Sequence, residues 1–164
     1  MSVLTFEELY LAYSPDVYRF ACWLTGNATE AEDITSDTFF RAWMNFKTIR
    51  METLRPYLFT IARNMYLESR RKTNNHRPVA ESFAEHGSSV EQIIERKGEL
   101  DAARHLLLHL PEIDRSAFVL RVQHDLPYAE IARILGVSEA SVKVKVHRVR
   151  KKLFEDYRER NSYE

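Results

Sequence analysis

Apolar residues recur at helical spacing along most of the chain, and the β-branched alternation that marks strands is scarce. Four Gly and five Pro punctuate it. A first helix is expected from about Thr5 to Tyr13, opened by Thr5 and Glu8 in capping-box spacing; Asn27 and Glu30 repeat that spacing ahead of the next segment. In 54–72, "LRPYLFTIARNMYLESRRK", Leu54, Leu58, Ile61, Met65 and Tyr66 fall at helical spacing, the arginines lie mainly between them, and Pro56 is tolerable in a first turn. Residues 73–90 lose the period and gather Asn, Ser, Pro and Gly, a linker composition. Ser88 and Glu91 can cap a further helix that Pro111 closes. The pattern predicts an all-α chain of two small helical domains, 3–73 and 93–160, joined by a flexible linker at 74–92. Each is near the lower limit for an independent core, so partner contacts are expected to help hold it.

The stretch 128–153, "YAEIARILGVSEASVKVKVHRVRKKL", is the most informative. Ile131 and Leu135 form an apolar stripe on a short helix, and Ala132 is small where two helices must approach. Gly136 supplies the left-handed turn, Val137 plugs the corner and Ser138 caps a second helix. Val142, Val146, Val149 and Leu153 then repeat every three or four residues as one buried seam. Off that seam lie Glu139, Ala140, Ser141, Lys143, Val144, Lys145, His147, Arg148, Lys151 and Lys152. A short helix, a Gly turn and a second helix exposing cations is the helix-turn-helix arrangement, whose second helix enters a major groove. An ordinary helical hairpin with a solvated basic face explains the charges but not the ordered coincidence of small residue, Gly, cap and basic block.

Charge sharpens this picture. The 164 residues carry 24 basic and 24 acidic side chains, yet 143–152 holds six cations and no acid. A second basic block occupies 50–78, with seven cations against two acids, while 1–49 is acidic, with seven acids against three cations. Two basic blocks in a neutral chain suggest two anion-binding surfaces, and low net charge limits nonspecific DNA binding by the free protein. With 45% hydrophobic and 29% charged residues the composition is that of a globular protein. No apolar run is long enough to span a bilayer, so no membrane insertion is expected. The start "MSVLTFEELY" lacks the layout of a secretory signal, and the lone Cys22 permits no internal disulfide. A cytoplasmic protein is expected, with Cys22 as a small buried side chain.

No enzymatic chemistry suggests itself. His105 and His109 stand at i, i+4 in "HLLLH", but no Glu follows the first and no third ligand is evident. A Gly-rich phosphate loop, a nucleophile elbow and a defensible carboxylate pair are all missing, so no catalytic residue, metal or cofactor is expected.

The stretch 110–153 closely resembles the promoter-binding domain of extracytoplasmic function (ECF) sigma factors. "NATEAEDITSDTFFRAWMNF" (27–46) is similar to their polymerase-binding segment, and 54–72 to the helix that reads the melted −10 element. Three motifs in the family's order cover nearly the whole chain. The resemblance implies a sigma2-like helical bundle and a sigma4-like helix-turn-helix, with core RNA polymerase, promoter DNA and an anti-sigma factor as partners. It places Asp33, Ser36, Asp37, Phe40, Arg41 and Trp43 on the polymerase-binding face, although Trp43 read by itself could equally be core. It assigns the −10 strand to Asn45, Lys47 and Arg50 in the loop, then Arg63, Asn64, Arg70, Arg71 and Lys72. It assigns the −35 duplex to Ser138, Glu139, Ser141, Lys143, Val144, Lys145, His147, Arg148 and Lys151.

This chain departs from the family in places. Ser141–Val146 reads Ser-Val-Lys-Val-Lys-Val where many relatives have Thr-Val-Lys-Ser-Arg-Leu. Val144 offers only apolar contact, and Lys145 is a point charge where a bidentate fork is common. Ser36 stands where Gln is common, and Tyr57 where Trp is usual, the latter expected to be structural. The alternative is a stand-alone helix-turn-helix regulator, which would not need an acidic polymerase-docking helix followed by a basic one.

Overall fold

In the computed structural model, which describes residues 4–72 and 90–162 and the side chains of all but 90–97, helix α1 (Phe6–Thr25) opens on the expected capping box. Thr5 Oγ1 accepts from the Glu8 N–H at 3.2 Å, and Glu8 Oε2 accepts from the Thr5 N–H at 2.8 Å. The helix does not stop at Tyr13. It continues through Pro15, whose missing N–H removes one bond to the carbonyl of Leu11, a solvent-exposed residue. Gly26, at φ 65°, ends it. Asn27 then caps α2 (Ala28–Met44), its Oδ1 accepting from the Glu30 N–H at 3.0 Å. A 3₁₀ turn at Met51–Thr53 leads into α3 (Leu54–Lys72).

These three helices pack as a bundle. On α3 the buried side chains are Leu54, Leu58, Phe59, Ala62 and Tyr66, while Ile61 and Met65 are only half-buried. The seam is thus broader than the expected stripe, because α3 meets α1 and α2 and also the second half of the chain.

That second half comprises α4 (Val90–His109), α5 (Glu112–Val122), α6 (Tyr128–Leu135) and α7 (Glu139–Asn161). Residues 74–89 of the expected linker, and its Ser88–Glu91 cap, lie outside the described residues; α4 begins at Val90, within the expected linker range. Among the described residues every regular element is helical. One hydrophobic cluster runs through both halves, from Leu9, Phe20 and Phe59 to Leu120, Ile131 and Val146. Helix α5 packs on α1 and α6 on α3, so the halves share a core in this conformation. Cys22 is buried, as expected.

Gly136 ends α6 at φ 66°, and a Cβ placed there would meet nothing within 4 Å. The cost of a side chain is therefore purely conformational. Gly136→Ala should lower unfolding stability by about 1 kcal/mol, read as a shifted urea midpoint with unchanged slope.

Candidate nucleic-acid interface

Helix α7 starts where Ser138 Oγ accepts from the Ser141 N–H at 3.1 Å. Val142, Val146 and Val149 are buried, with Leu153 half-buried, on a helix that packs against α4, α5 and α6, so the predicted seam is present. It turns Lys143, Val144, His147, Arg148 and Lys151 outward, all exposed, with Ser138 and Glu139 exposed at the helix start and Ser141 half-buried. Lys143 is steadied rather than loose: Glu139 lies 4.0 Å away and the Tyr128 ring centroid 5.6 Å below its Nζ. Tyr128 also carries the Arg121 guanidinium at 4.2 Å from its centroid. Sequence reasoning passed over Tyr128, whose signal was an aromatic at the first position of the leading helix.

Lys145 behaves differently. It flanks the seam, so its ammonium turns inward and sits 3.4 Å from Asp114 Oδ1 on the first turn of α5. The expected groove-facing cation is in this conformation an internal ion pair.

On α2, Asp33, Ser36, Asp37, Phe40, Arg41 and Trp43 are all exposed. Trp43 is 58% and Phe40 59% accessible, which removes the core alternative for Trp43. Their backs, Ile34, Thr35, Thr38, Phe39 and Ala42, are the buried side. Aromatic anchors beside acids, with Met44 also exposed, form a surface suited to a protein partner. An open groove of about 360 Å³ between α2 and α3 is lined by Asp37, Arg41, Met65, Glu68, Ser69 and Lys72.

The loop after α2 holds Asn45, Lys47 and Arg50, all exposed. Asn45 caps α2, its side-chain amide donating to the Arg41 carbonyl at 3.1 Å, so it serves the loop's geometry as well as its surface. Trp43 to Thr48 line a depression of about 300 Å³ there. On α3, Asn64, Arg71 and Lys72 face solvent, and Tyr57 is half-buried against the core. Arg70 is half-buried, 3.4 Å from Glu30 and over the Tyr66 ring at 4.9 Å. Arg63 is not free: its Nε and Nη2 donate to the two oxygens of Glu112 at 2.6 and 3.0 Å.

That fork is one of several polar ties between the halves. Arg115, 3% exposed, donates through Nη2 to the Leu24 carbonyl at 3.0 Å and the Tyr66 hydroxyl at 3.1 Å. Its Nη1 faces the carbonyls of Leu107, Leu108 and Leu110, each at 3.3 Å, where α4 ends. Arg55 Nη2 donates to the His124 carbonyl at 2.7 Å. The His124 ring is wedged against Phe59 and Phe20, with centroids 4.7 and 6.2 Å apart. Burial there lowers its pKa from 6.5 to about 4; Asp16 opposes the shift, while Arg55 and Arg19 reinforce it. Glu112, Asp114, Arg115 and His124 were not singled out by sequence reasoning, since nothing local marks a contact to a helix far away in the chain.

His105 and His109 are both exposed, with ring centroids 4.3 Å apart and His109 Nδ1 2.7 Å from the His105 carbonyl. Among the described residues no group of three potential metal ligands occurs. Nor is any helix there long and apolar enough to cross a membrane.

Fold and surface together define a helix-turn-helix protein that carries a second helical unit with its own cation-bearing helix and an exposed acidic and aromatic face. The family description Sigma-70, region 4 matches residues 100–153, and Sigma-70 region 2 matches residues 9–76. The ECF RNA polymerase sigma factor SigL of Mycobacterium tuberculosis is 32% identical, over 86% of this chain and 82% of that protein. SigM of Bacillus subtilis, another ECF sigma factor, is 29% identical over 92% and 93%. Among solved structures, the sigma factor RpoE of Bartonella quintana, crystallised with the anti-sigma factor NepR, superimposes with a TM-score of 0.79 at 27% identity. That match covers 93% of this chain and 96% of RpoE. The chain belongs to the ECF RNA polymerase sigma factor family, and is a transcription initiation factor.

Proposed function

We propose that the chain divides this work between its halves, 3–73 docking on core RNA polymerase and holding the −10 strand, and 93–160 anchoring the −35 duplex. The observation that carries the reading is the coexistence on one chain of three separate exposed faces: acidic and aromatic on α2, polar and cationic along the α2–α3 loop and α3, cationic on α7. Asp33, Ser36, Asp37, Phe40, Arg41 and Trp43 meet the polymerase. Asn45, Lys47, Arg50, Asn64, Arg71 and Lys72, joined by Arg63 and Arg70 once their carboxylate partners let go, take the single strand. Lys143, Val144, His147, Arg148 and Lys151, from the helix start at Ser138, Glu139 and Ser141, take the duplex, with Lys145 held to their side. Two modest DNA sites on one assembly gain from effective concentration, so neither must bind tightly alone. Bond-making belongs to the polymerase, the chain being no enzyme, and the work is cytoplasmic. By likeness to RpoE, an anti-sigma factor holds it inactive.

Reconstitution with core polymerase tests this. Wild-type chain should co-elute with core on gel filtration and direct transcripts from genomic templates. Asp33→Ala with Asp37→Ala should weaken core binding at least tenfold, since charged groups at such surfaces contribute about 1–3 kcal/mol. Both positions are exposed, so the helical circular dichroism should not change. Absence of a core complex for the wild type would overturn the reading.

A further inference from the structure

Two carboxylates on the first turn of α5 each hold a cation from a helix that the proposed function assigns to DNA. Glu112 holds Arg63 of α3, and Asp114 holds Lys145 of α7. Only the first of these pairs joins the two halves. It is a two-point fork with both side chains largely withdrawn from solvent, at 11% and 17% exposure. A guanidinium engaged in this way presents to a carboxylate the geometry it would present to a phosphate.

The carboxylate is aimed rather than incidental. Ser116 Oγ, one turn along α5, donates to Glu112 Oε1 at 2.7 Å and fixes the side chain toward α3. Glu112 is also the first residue of α5, where the helix dipole favours a negative charge. The surrounding ties from Arg115 and Arg55 end on carbonyls and a hydroxyl. The Arg63–Glu112 pair is therefore the tie most directly exchangeable for a nucleic-acid phosphate.

We propose that Glu112 is an internal phosphate mimic that latches the free chain closed, occupying Arg63 until polymerase and promoter DNA draw the halves apart. The inference rests on Arg63 being a DNA-contacting residue, as in the function proposed above. A chain whose binding-competent state is only partly populated binds more weakly by that fraction. The closed form would thus keep the free protein off DNA, in the same sense as its neutral net charge.

The test uses the full chain without polymerase, so that it does not depend on transcription. Glu112→Gln keeps the shape and an acceptor but removes the charge. It should enlarge the radius of gyration in small-angle X-ray scattering and tighten binding to a mixed-sequence single-stranded oligonucleotide about tenfold at low salt. Ser116→Ala leaves the carboxylate but removes its guide, and should move both readouts the same way but less, with oligonucleotide affinity rising about twofold. Together these keep the proposal testable even if one variant folds poorly. An unchanged radius in both variants would show that no latch exists. A larger radius with unchanged oligonucleotide affinity would show that the contact ties the halves without guarding DNA-binding groups, and would equally overturn the proposal. A failure to transcribe with core polymerase would strike the assigned function and leave the scattering result intact.

Discussion

Arg115→Ala should be the most destabilising single substitution among the polar residues, lowering the thermal midpoint by about 10 °C, on a loss of about 3 kcal/mol. Arg115 is almost wholly enclosed and serves three elements at once. Its Nη1 sits among the carbonyls that close α4, where a cation also meets the negative end of the helix dipole. Its Nη2 reaches the Leu24 carbonyl near the end of α1 and the Tyr66 hydroxyl on α3. Truncation takes the donors away and leaves the acceptors dry, and it is the stranded acceptors that make the loss large. Lysine is the informative second variant. Its single ammonium cannot face both clusters as a planar fork does, so Arg115→Lys should recover less than half of the lost stability. Differential scanning calorimetry of the full chain decides the matter, and a midpoint shift below about 2 °C for Arg115→Ala would contradict the role.

Arg115 also marks the boundary between what the sequence discloses and what it hides. Local signals were legible because their physics is local. The Thr5 and Asn27 caps, the Gly136 turn, the Ser138 cap and the valine seam of α7 each lie within a few residues of the bonds they make. The face of α2 carrying Asp33, Ser36, Asp37, Phe40, Arg41 and Trp43 came from the family resemblance, and all six are exposed; Trp43 read by itself was undecided because an aromatic suits a core and an interface equally. The first helix, expected over about Thr5 to Tyr13, runs on through Pro15 to Thr25, because a proline on an exposed flank is tolerated once the rest of the helix packs. What could not be read was how α5 lies against α1 and α3. "PEIDR" looks like an ordinary acidic helix start. Its Glu112 and Arg115 acquire their roles only when Arg63, Leu24 and Tyr66 are brought up from far along the chain. Arg63 and Lys145 were therefore placed on the DNA-facing list by motif position, while in this conformation both are held by acids of α5.

His124 gives that same boundary a pH dependence. Its ring is 3% exposed between Phe20 and Phe59, its Nε2 is buried without a hydrogen-bond partner, and its pKa falls from 6.5 to about 4 chiefly because burial penalises the charged form. Between those two values the unfolded chain binds a proton that the folded chain refuses, so stability rises with pH across the window. The stabilisation is complete above about pH 6.5 and is lost as pH falls toward 4, below which both states are protonated and the slope vanishes. The size of the loss is roughly 3 kcal/mol. Carboxylates also begin to titrate near the lower end, so the wild-type profile alone does not isolate the imidazole. His124→Phe does: it keeps a ring in the aromatic cluster, surrenders no hydrogen bond at Nε2, and removes the titrating group. Urea unfolding at a series of pH values should show a steep decline for wild type between pH 6.5 and 4. The same series should show a much shallower decline for His124→Phe, the gap closing again at neutral pH. Parallel profiles would mean that the ring accepts its proton without leaving the interface. That outcome would require water or an acid to reach it in the folded state, with Asp16, the one carboxylate that raises its pKa, as the group to examine.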